Sequence, residues 1–225
     1  MMKNFIKQKL HESITFDLLE SMMVDEDYPS HFDMDHFKSL TSFNSRITYC
    51  NENLKRISSG SGRIVYIIDD TKVLKLAKNK KGVAQNEVEI EYSNYFEIKD
   101  IVARVIDYHM DDLWVEMELA RKATKSNFKQ ITGFNFDDYC AAINNYYYDT
   151  NPRKGYKMDI SQDLVNEMWE NEFTYSFFQF IGDYGVPVGD LKRLNSYGVV
   201  NRNGEDTIVM IDYGLTHDVY DSYYS

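Results

Sequence analysis

The sequence predicts an α+β fold: a five-stranded antiparallel sheet, a mostly helical second half, and a helical extension ahead of the sheet. Three observations carry this. Short apolar runs between 54 and 119, bounded by turn residues, read as strands, whereas apolar residues at helical spacing dominate before 52 and again after 120. Near the C-terminal end, Asn203-Gly204 lies between two further apolar runs, the pattern of a hairpin. The change of texture divides the chain into 1–51, 52–119 and 120–225.

In the extension, Phe5, Ile6, Leu10, Leu18, Leu19, Met22, Met23, Phe37, Leu40 and Phe43 recur near helical spacing, interrupted by a loop at Tyr28-Pro29-Ser30. Strands are expected at Leu54 to Ser58, Arg63 to Ile68 and Lys72 to Ala77, with Asp69-Asp70-Thr71 as a tight turn. Such closely spaced strands make an antiparallel meander. A helix is expected from Lys80 to Phe96, with Val88, Tyr92, Tyr95 and Phe96 on one side, then strands at Val102 to Tyr108 and Leu113 to Leu119. Beyond Ala120 the pattern predicts a helix over Asn135 to Tyr148. A loop over Thr150 to Asp159, containing Asn-Pro and Lys-Gly, precedes a longer helix from Ser161 to Asp183 with an apolar stripe through Leu164, Met168, Phe177 and Ile181. The hairpin pairs Tyr197 to Val200 with Thr207 to Ile211.

Composition narrows the function classes. With 225 residues the chain can hold one substantial core or two small lobes, and 43% hydrophobic content indicates a folded protein. A net charge of −11 argues against a nucleic-acid or anionic-membrane binder, since those surfaces recruit clustered Lys and Arg. Cys50 and Cys140 stand apart, without metal-ligand spacing or a disulfide framework, which suits a reducing compartment. The first ten residues lack the apolar stretch of a secretory signal, and no apolar run is long enough to span a membrane. A cytoplasmic location is expected. The 18 tyrosines, among them Tyr220, Tyr223 and Tyr224, are read as packing and interface groups, because aromatic rings supply large contact area.

Chemistry concentrates in two phrases, Asp190-Leu191-Lys192-Arg193-Leu194-Asn195 and Asp212-Tyr213-Gly214. In phosphoryl transfer one aspartate accepts the proton of an attacking hydroxyl, an asparagine holds a metal, and a second aspartate brings Mg²⁺ to the nucleotide phosphates. Upstream, Ser58-Ser59-Gly60-Ser61-Gly62 joins the first two strands, and small residues with accessible amides suit a phosphate. Taken alone, that stretch is an ordinary Ser/Gly turn. Val73-Leu74-Lys75-Leu76 sets one charge in an apolar strand, expensive without a partner. Glu87, Glu89 and Glu91 lie on the following helix. Glu89 is chosen because it borders the Val88 and Tyr92 face.

In this order, DLKxxN, DYG, the lysine strand and Leu113-Trp114-Val115-Glu116-Met117-Glu118-Leu119-Ala120 resemble the protein-kinase superfamily, in particular its small atypical bacterial or bacteriophage members. The resemblance covers about Leu54 to Leu215. It implies a bilobal kinase-like fold, in which Lys75 pairs with Glu89 and reaches the phosphates. Ser59, Gly60, Ser61 and Gly62 would cover those phosphates, and Met117 would stand at the gatekeeper position. The backbone of Glu118 and Ala120 would receive adenine. Asp190 would deprotonate the acceptor, Lys192 would neutralise the transferring phosphoryl group, and Asn195 with Asp212 would hold Mg²⁺. The cofactors implied are ATP and Mg²⁺.

Departures from the family pattern limit the implication. Val188-Gly189 replaces the His-Arg usual before the aspartate, Tyr213 replaces phenylalanine, and so few residues follow Gly214 that the second lobe is expected to be reduced, with almost no activation segment. Three functions follow. The first is an active phosphotransferase acting on a protein or small-molecule hydroxyl; a small molecule or one dedicated partner is favoured. The second is a pseudokinase serving as a nucleotide-binding or purely structural interaction module. The third is transfer of AMP, against which the retained Asp190 argues. Nucleic acid and membrane are not expected as partners.

Overall fold

A computed structural model describes residues 28–95, 98–150, 155–184 and 186–224. The predicted helical positions from Phe5 to Met23, and Phe96, lie outside the described residues. Five strands, β1 (Lys55–Ser59), β2 (Arg63–Ile67), β3 (Lys72–Ala77), β4 (Val105–Tyr108) and β5 (Trp114–Glu118), form an antiparallel sheet in the order β1-β2-β3-β5-β4. Lys75 sits in the central strand, opposite Val65 of β2 and Val115 of β5.

Side chains alternate across this sheet. Ile64, Tyr66, Leu74, Leu76 and Trp114 face outward against Tyr28, Phe32, Phe37 and Cys50. Part of that cover comes from two short helices, α1 (Met34–Ser39) and α2 (Phe43–Asn53), capped by the side chains of Asp33 and Ser42. The described part of the extension therefore closes the outer face of the sheet. Val73, Val115 and Met117 point the other way, into the main core, on the side where α3 (Lys80–Ser93) packs.

The second half contains α4 (Lys125–Thr132), α5 (Phe136–Thr150), α6 (Gln162–Glu170), α7 (Glu172–Tyr184) and a single helical turn, α8 (Val188–Leu191). A second antiparallel sheet joins β6 (Arg121–Lys122), β7 (Tyr197–Arg202) and β8 (Glu205–Met210), and α9 (His217–Tyr223) follows. Asn203 and Gly204 turn the β7–β8 hairpin with φ of 56° and 88°, left-handed values that asparagine tolerates and glycine adopts without strain. Phe128, Tyr139, Phe177 and Tyr197 pack edge-on and tilted against one another at the centre of this half. A five-stranded antiparallel sheet followed by a mostly helical second half is the α+β arrangement expected from the sequence.

Several boundaries differ from the sequence reading. Leu54 closes α2, its amide donating to Cys50 O at 2.8 Å, so β1 starts one residue later. Val102 lies outside β4: it bridges to Met210 in the second sheet, and Ala103 N and Met210 O bond at 2.9 Å. The long helix predicted over 161–183 is two helices. Asn171 between them is extended, with φ −89° and ψ 126°, and its side chain accepts from Thr174 N at 3.2 Å to start α7. Helices α4 and α9 and strand β6 have no counterpart in the sequence reading.

Candidate active site

A cavity of about 680 Å³ opens between the five-stranded sheet and the second half. Most of the predicted site residues meet there. Its wall includes Ser59, Gly60, Ser61, Gly62 and Lys75 from the sheet side, Met117 and Glu118 from the end of β5, Ala120 from the connection to β6, and Asp190, Asn195 and Asp212 opposite.

Lys75 and Glu89 pair as expected. The ammonium lies 2.9 Å from each Glu89 oxygen and donates to Ile211 O at 2.6 Å, which uses all three of its N–H groups. Burial would push the Glu89 carboxyl up, but the charges of Arg63 and Lys75 outweigh it and hold the group below its usual range. Burial pulls the Lys75 ammonium below its ordinary value, with Glu89 opposing and Arg63 adding to the shift.

The unexpected member is Arg63. It stands at the start of β2, two residues from Val65 and so on the same face as Lys75. Its guanidinium takes both oxygens of Glu89, at 2.6 and 3.0 Å, and reaches Asp212 Oδ1 at 2.6 Å. Four charged groups, Lys75, Arg63, Glu89 and Asp212, thus form one balanced cluster spanning both halves. Tyr213 locks it from the side, its amide 3.3 Å from Glu89 Oε1 and its hydroxyl donating to Ala103 O at 2.8 Å. Gly214 must remain bare: a Cβ there would collide with the backbone of Gln85 on α3.

Asp190 projects from α8 into the cavity. The turn is held from beneath by two buried tyrosines: Tyr197 OH donates to Leu191 O at 2.8 Å and lies 2.9 Å from Tyr139 OH. Burial first, and the neighbouring Asp212 charge second, push the Asp190 carboxyl up, with Arg193 opposing. Ile211 N donates to Ser196 O at 2.8 Å, a bond that brings the residues next in line, Asn195 and Asp212, to one edge.

Lys192 departs from its expected place. It is not in the cavity wall; its ammonium turns to the buried Asn144 Oδ1 at 2.7 Å. Arg193, which does line the cavity, is the cation beside Asp190, 3.1 Å from Oδ1. Glu118 is fixed by its side chain, which receives Arg202 at 2.7 Å, and its amide donates to Arg104 O at 2.9 Å.

The donors that could hold Mg²⁺ are the Asn195 amide oxygen and the Asp212 carboxylate, hard oxygen ligands of the kind Mg²⁺ takes together with phosphate and water. Among the described residues no group of three or more His, Cys, Asp or Glu side chains gathers into an all-protein cage. Two oxygen donors in the wall of one cavity fit such an ion. No helix of the described residues is long and apolar enough to cross a membrane.

No protein-family model matches the chain, and no curated protein matches it. Among solved structures, it is similar to the GDP complex of wild-type aminoglycoside 2'-phosphotransferase-IIIa, at 10% identity over 78% of this chain and 73% of that one, with a TM-score of 0.38. The streptomycin–ATP–APH(2")-IIa ternary complex is 13% identical over 78% of this chain and 72% of its own, with a TM-score of 0.33. SAICAR synthase from Saccharomyces cerevisiae, complexed with SAICAR, is 11% identical over 73% and 74%, with a TM-score of 0.35.

Proposed function

We propose that this chain is an ATP- and Mg²⁺-dependent phosphotransferase that moves the γ-phosphate to a hydroxyl of a small molecule or of one dedicated protein. The observation that carries the reading is the convergence of the Lys75–Glu89 pair, Asp190, Asn195 and Asp212 on one cavity. The polar cluster sits at one side of that cavity, and Val65, Val73 and Met117 form an apolar part suited to a purine.

In this reading Asp190 accepts the acceptor's proton as the acceptor oxygen bonds to the γ-phosphorus and the bond from that phosphorus to the β-γ bridging oxygen breaks, leaving ADP. Its raised pKa favours proton acceptance, and Arg193 beside it screens charge gathering on the phosphoryl oxygens. Lys75, oriented by Glu89, directs its charge to the phosphates once it exchanges a present partner for them. Asn195 and Asp212 would hold Mg²⁺, which neutralises phosphate oxygens when bound. The nucleotide-binding pocket without transfer is the second reading, and the hold of Arg63 on Asp212 favours it.

Incubation with γ-labelled ATP and Mg²⁺ separates the two. Label transfer in wild type that disappears in Asp190→Ala and Asp212→Asn supports the phosphotransferase. Nucleotide-dependent thermal stabilisation without any transfer leaves the scaffold. If neither occurs, both readings are lost.

A further inference from the structure

We infer that Arg63 is a resident counter-cation of Asp212, so that a divalent metal ion takes Asp212 Oδ1 only by displacing the guanidinium. The inference rests on the phosphotransferase reading for the metal's presence, but on Arg63's own contacts for its content.

Both terminal nitrogens of the guanidinium are saturated. One terminal nitrogen meets Glu89 Oε2 at 2.6 Å and Asn86 Oδ1 at 3.3 Å; the other meets Glu89 Oε1 at 3.0 Å and Asp212 Oδ1 at 2.6 Å. Each of these nitrogens carries two N–H groups, so all four terminal N–H groups are in use, and the terminal fork of Arg63 can reach a phosphate only by releasing a partner. The two carboxylates hold it unequally. Glu89 has no solvent exposure, whereas the Asp212 side chain is 60% exposed. Asp212 is therefore the contact that yields first, at the loss of one bond out of four.

A metal ion on Asp212 Oδ1 would stand within a few ångströms of the guanidinium, two positive charges competing for one oxygen. Arg63 already neutralises Asp212, just as Lys75 neutralises Glu89, so the cluster is balanced by protein charges alone. Displacement is feasible because Arg63 keeps its bidentate grip on Glu89 when it leaves Asp212. The consequence is a metal affinity set by the residue that opens β2, directly after the glycine-rich turn.

The test is Mn²⁺ titration of the full chain by electron paramagnetic resonance, with and without a non-hydrolysable ATP analogue. Arg63→Gln should bind Mn²⁺ about tenfold tighter than wild type, since removing the guanidinium removes the repulsion. Adding Asp212→Asn to that variant should abolish the gain. Arg63→Lys keeps a charge for Glu89 but cannot span both carboxylates, and should show part of the gain. If Arg63→Gln does not fold, as judged by its melting curve, the Lys variant carries the test. Unchanged or weaker Mn²⁺ binding in the folded variant overturns the inference. Failure of wild type to bind the analogue under any condition removes the phosphotransferase reading instead, and the Mn²⁺ order without nucleotide still decides the role of Arg63.

Discussion

Lys75 Nζ lies 2.9 Å from both carboxylate oxygens of Glu89, whose side chain has no solvent exposure. The same carboxylate receives Arg63, so it compensates two buried cations at once. Glu89→Ala should therefore destabilise the fold by about 3–5 kcal/mol, the cost of leaving buried charge uncompensated. Lys75→Met should cost much less, because Glu89 keeps Arg63 and the desolvation of the ammonium is relieved. Urea denaturation of the two variants checks this, and equal losses would contradict it.

With Asp190 as the proposed proton acceptor, the pH dependence of transfer follows from its carboxyl. Burial, and then the Asp212 charge, raise its carboxyl above the ordinary aspartate value of 3.8, with Arg193 opposing. A proton acceptor works as the carboxylate, so the acid limb of kcat/KM should lie above that value. Arg193→Gln removes the opposing charge and should move the limb to higher pH. For stability the sign is the reverse of a salt-bridged aspartate: the folded state holds this proton more tightly, so the contribution is full below 3.8 and is lost as pH rises through the folded pKa. An acid limb that stays in place in Arg193→Gln would argue against Asp190 as the titrating group.

The buried tyrosine pair beneath α8 gives a third expectation. Tyr197 OH donates to Leu191 O, leaving Tyr139 OH as the donor to Tyr197. Tyr197→Phe strands both the Tyr139 hydroxyl and the Leu191 carbonyl and should cost about 1–3 kcal/mol. Adding Tyr139→Phe removes one stranded donor, so the double variant should lose less than the sum of the singles. A denaturation cycle with additive losses would refute the coupling.

How far the sequence reached depended on whether a residue's neighbours were local. The strands were legible because alternation across a half-buried sheet is a local signal, and the 203–204 turn because positive φ selects Asn-Gly. Glu89 was legible because it borders the Val88 and Tyr92 face. Arg63 was not: beside a Ser/Gly turn an arginine reads as solvated, and its partners Asn86, Glu89 and Asp212 are 23 to 149 positions away. One signal was available. Arg63 has the parity of Val65, the residue facing Lys75, which puts a second cation on the lysine's face.

Lys192 and Arg193 show the same limit at shorter range. A motif spacing names the position after the aspartate and its leucine, yet the pull of buried Asn144 turns Lys192 away and leaves Arg193 in the wall. The break at Asn171 was hidden because the apolar stripe runs on through both helices, while the interruption rests on one capping side chain. Helix α4 had its signals, Thr124 before it and Gly133 after it, but its single turnover of apolar residues, Phe128 and Ile131, was too short to register as periodic.

The last expectation concerns the glycine-rich turn, which α9 holds down. Tyr224 OH lies 3.1 Å from Ser61 Oγ and receives Gln85 Nε2 at 3.3 Å. Its ring carries the Lys81 ammonium 3.7 Å from the centroid and stacks on Tyr220 with an interplanar angle of 5°. Both tyrosines also line the cavity, so the chain segment directly after Asp212 and Tyr213 folds back over the residues that would cover the phosphates. An exposed cation–π contact contributes about 0.5–1 kcal/mol, roughly a two- to fivefold change in a local opening equilibrium. Tyr224→Ala should accordingly speed amide hydrogen exchange at 59–62 by about fivefold or more, since the hydrogen bonds are lost as well. Tyr224→Phe keeps the ring on Lys81 and loses only the hydroxyl contacts, so it should fall between. Exchange rates equal to wild type in Tyr224→Ala would mean that α9 lies on the turn without holding it, and that nucleotide entry needs no movement of this helix.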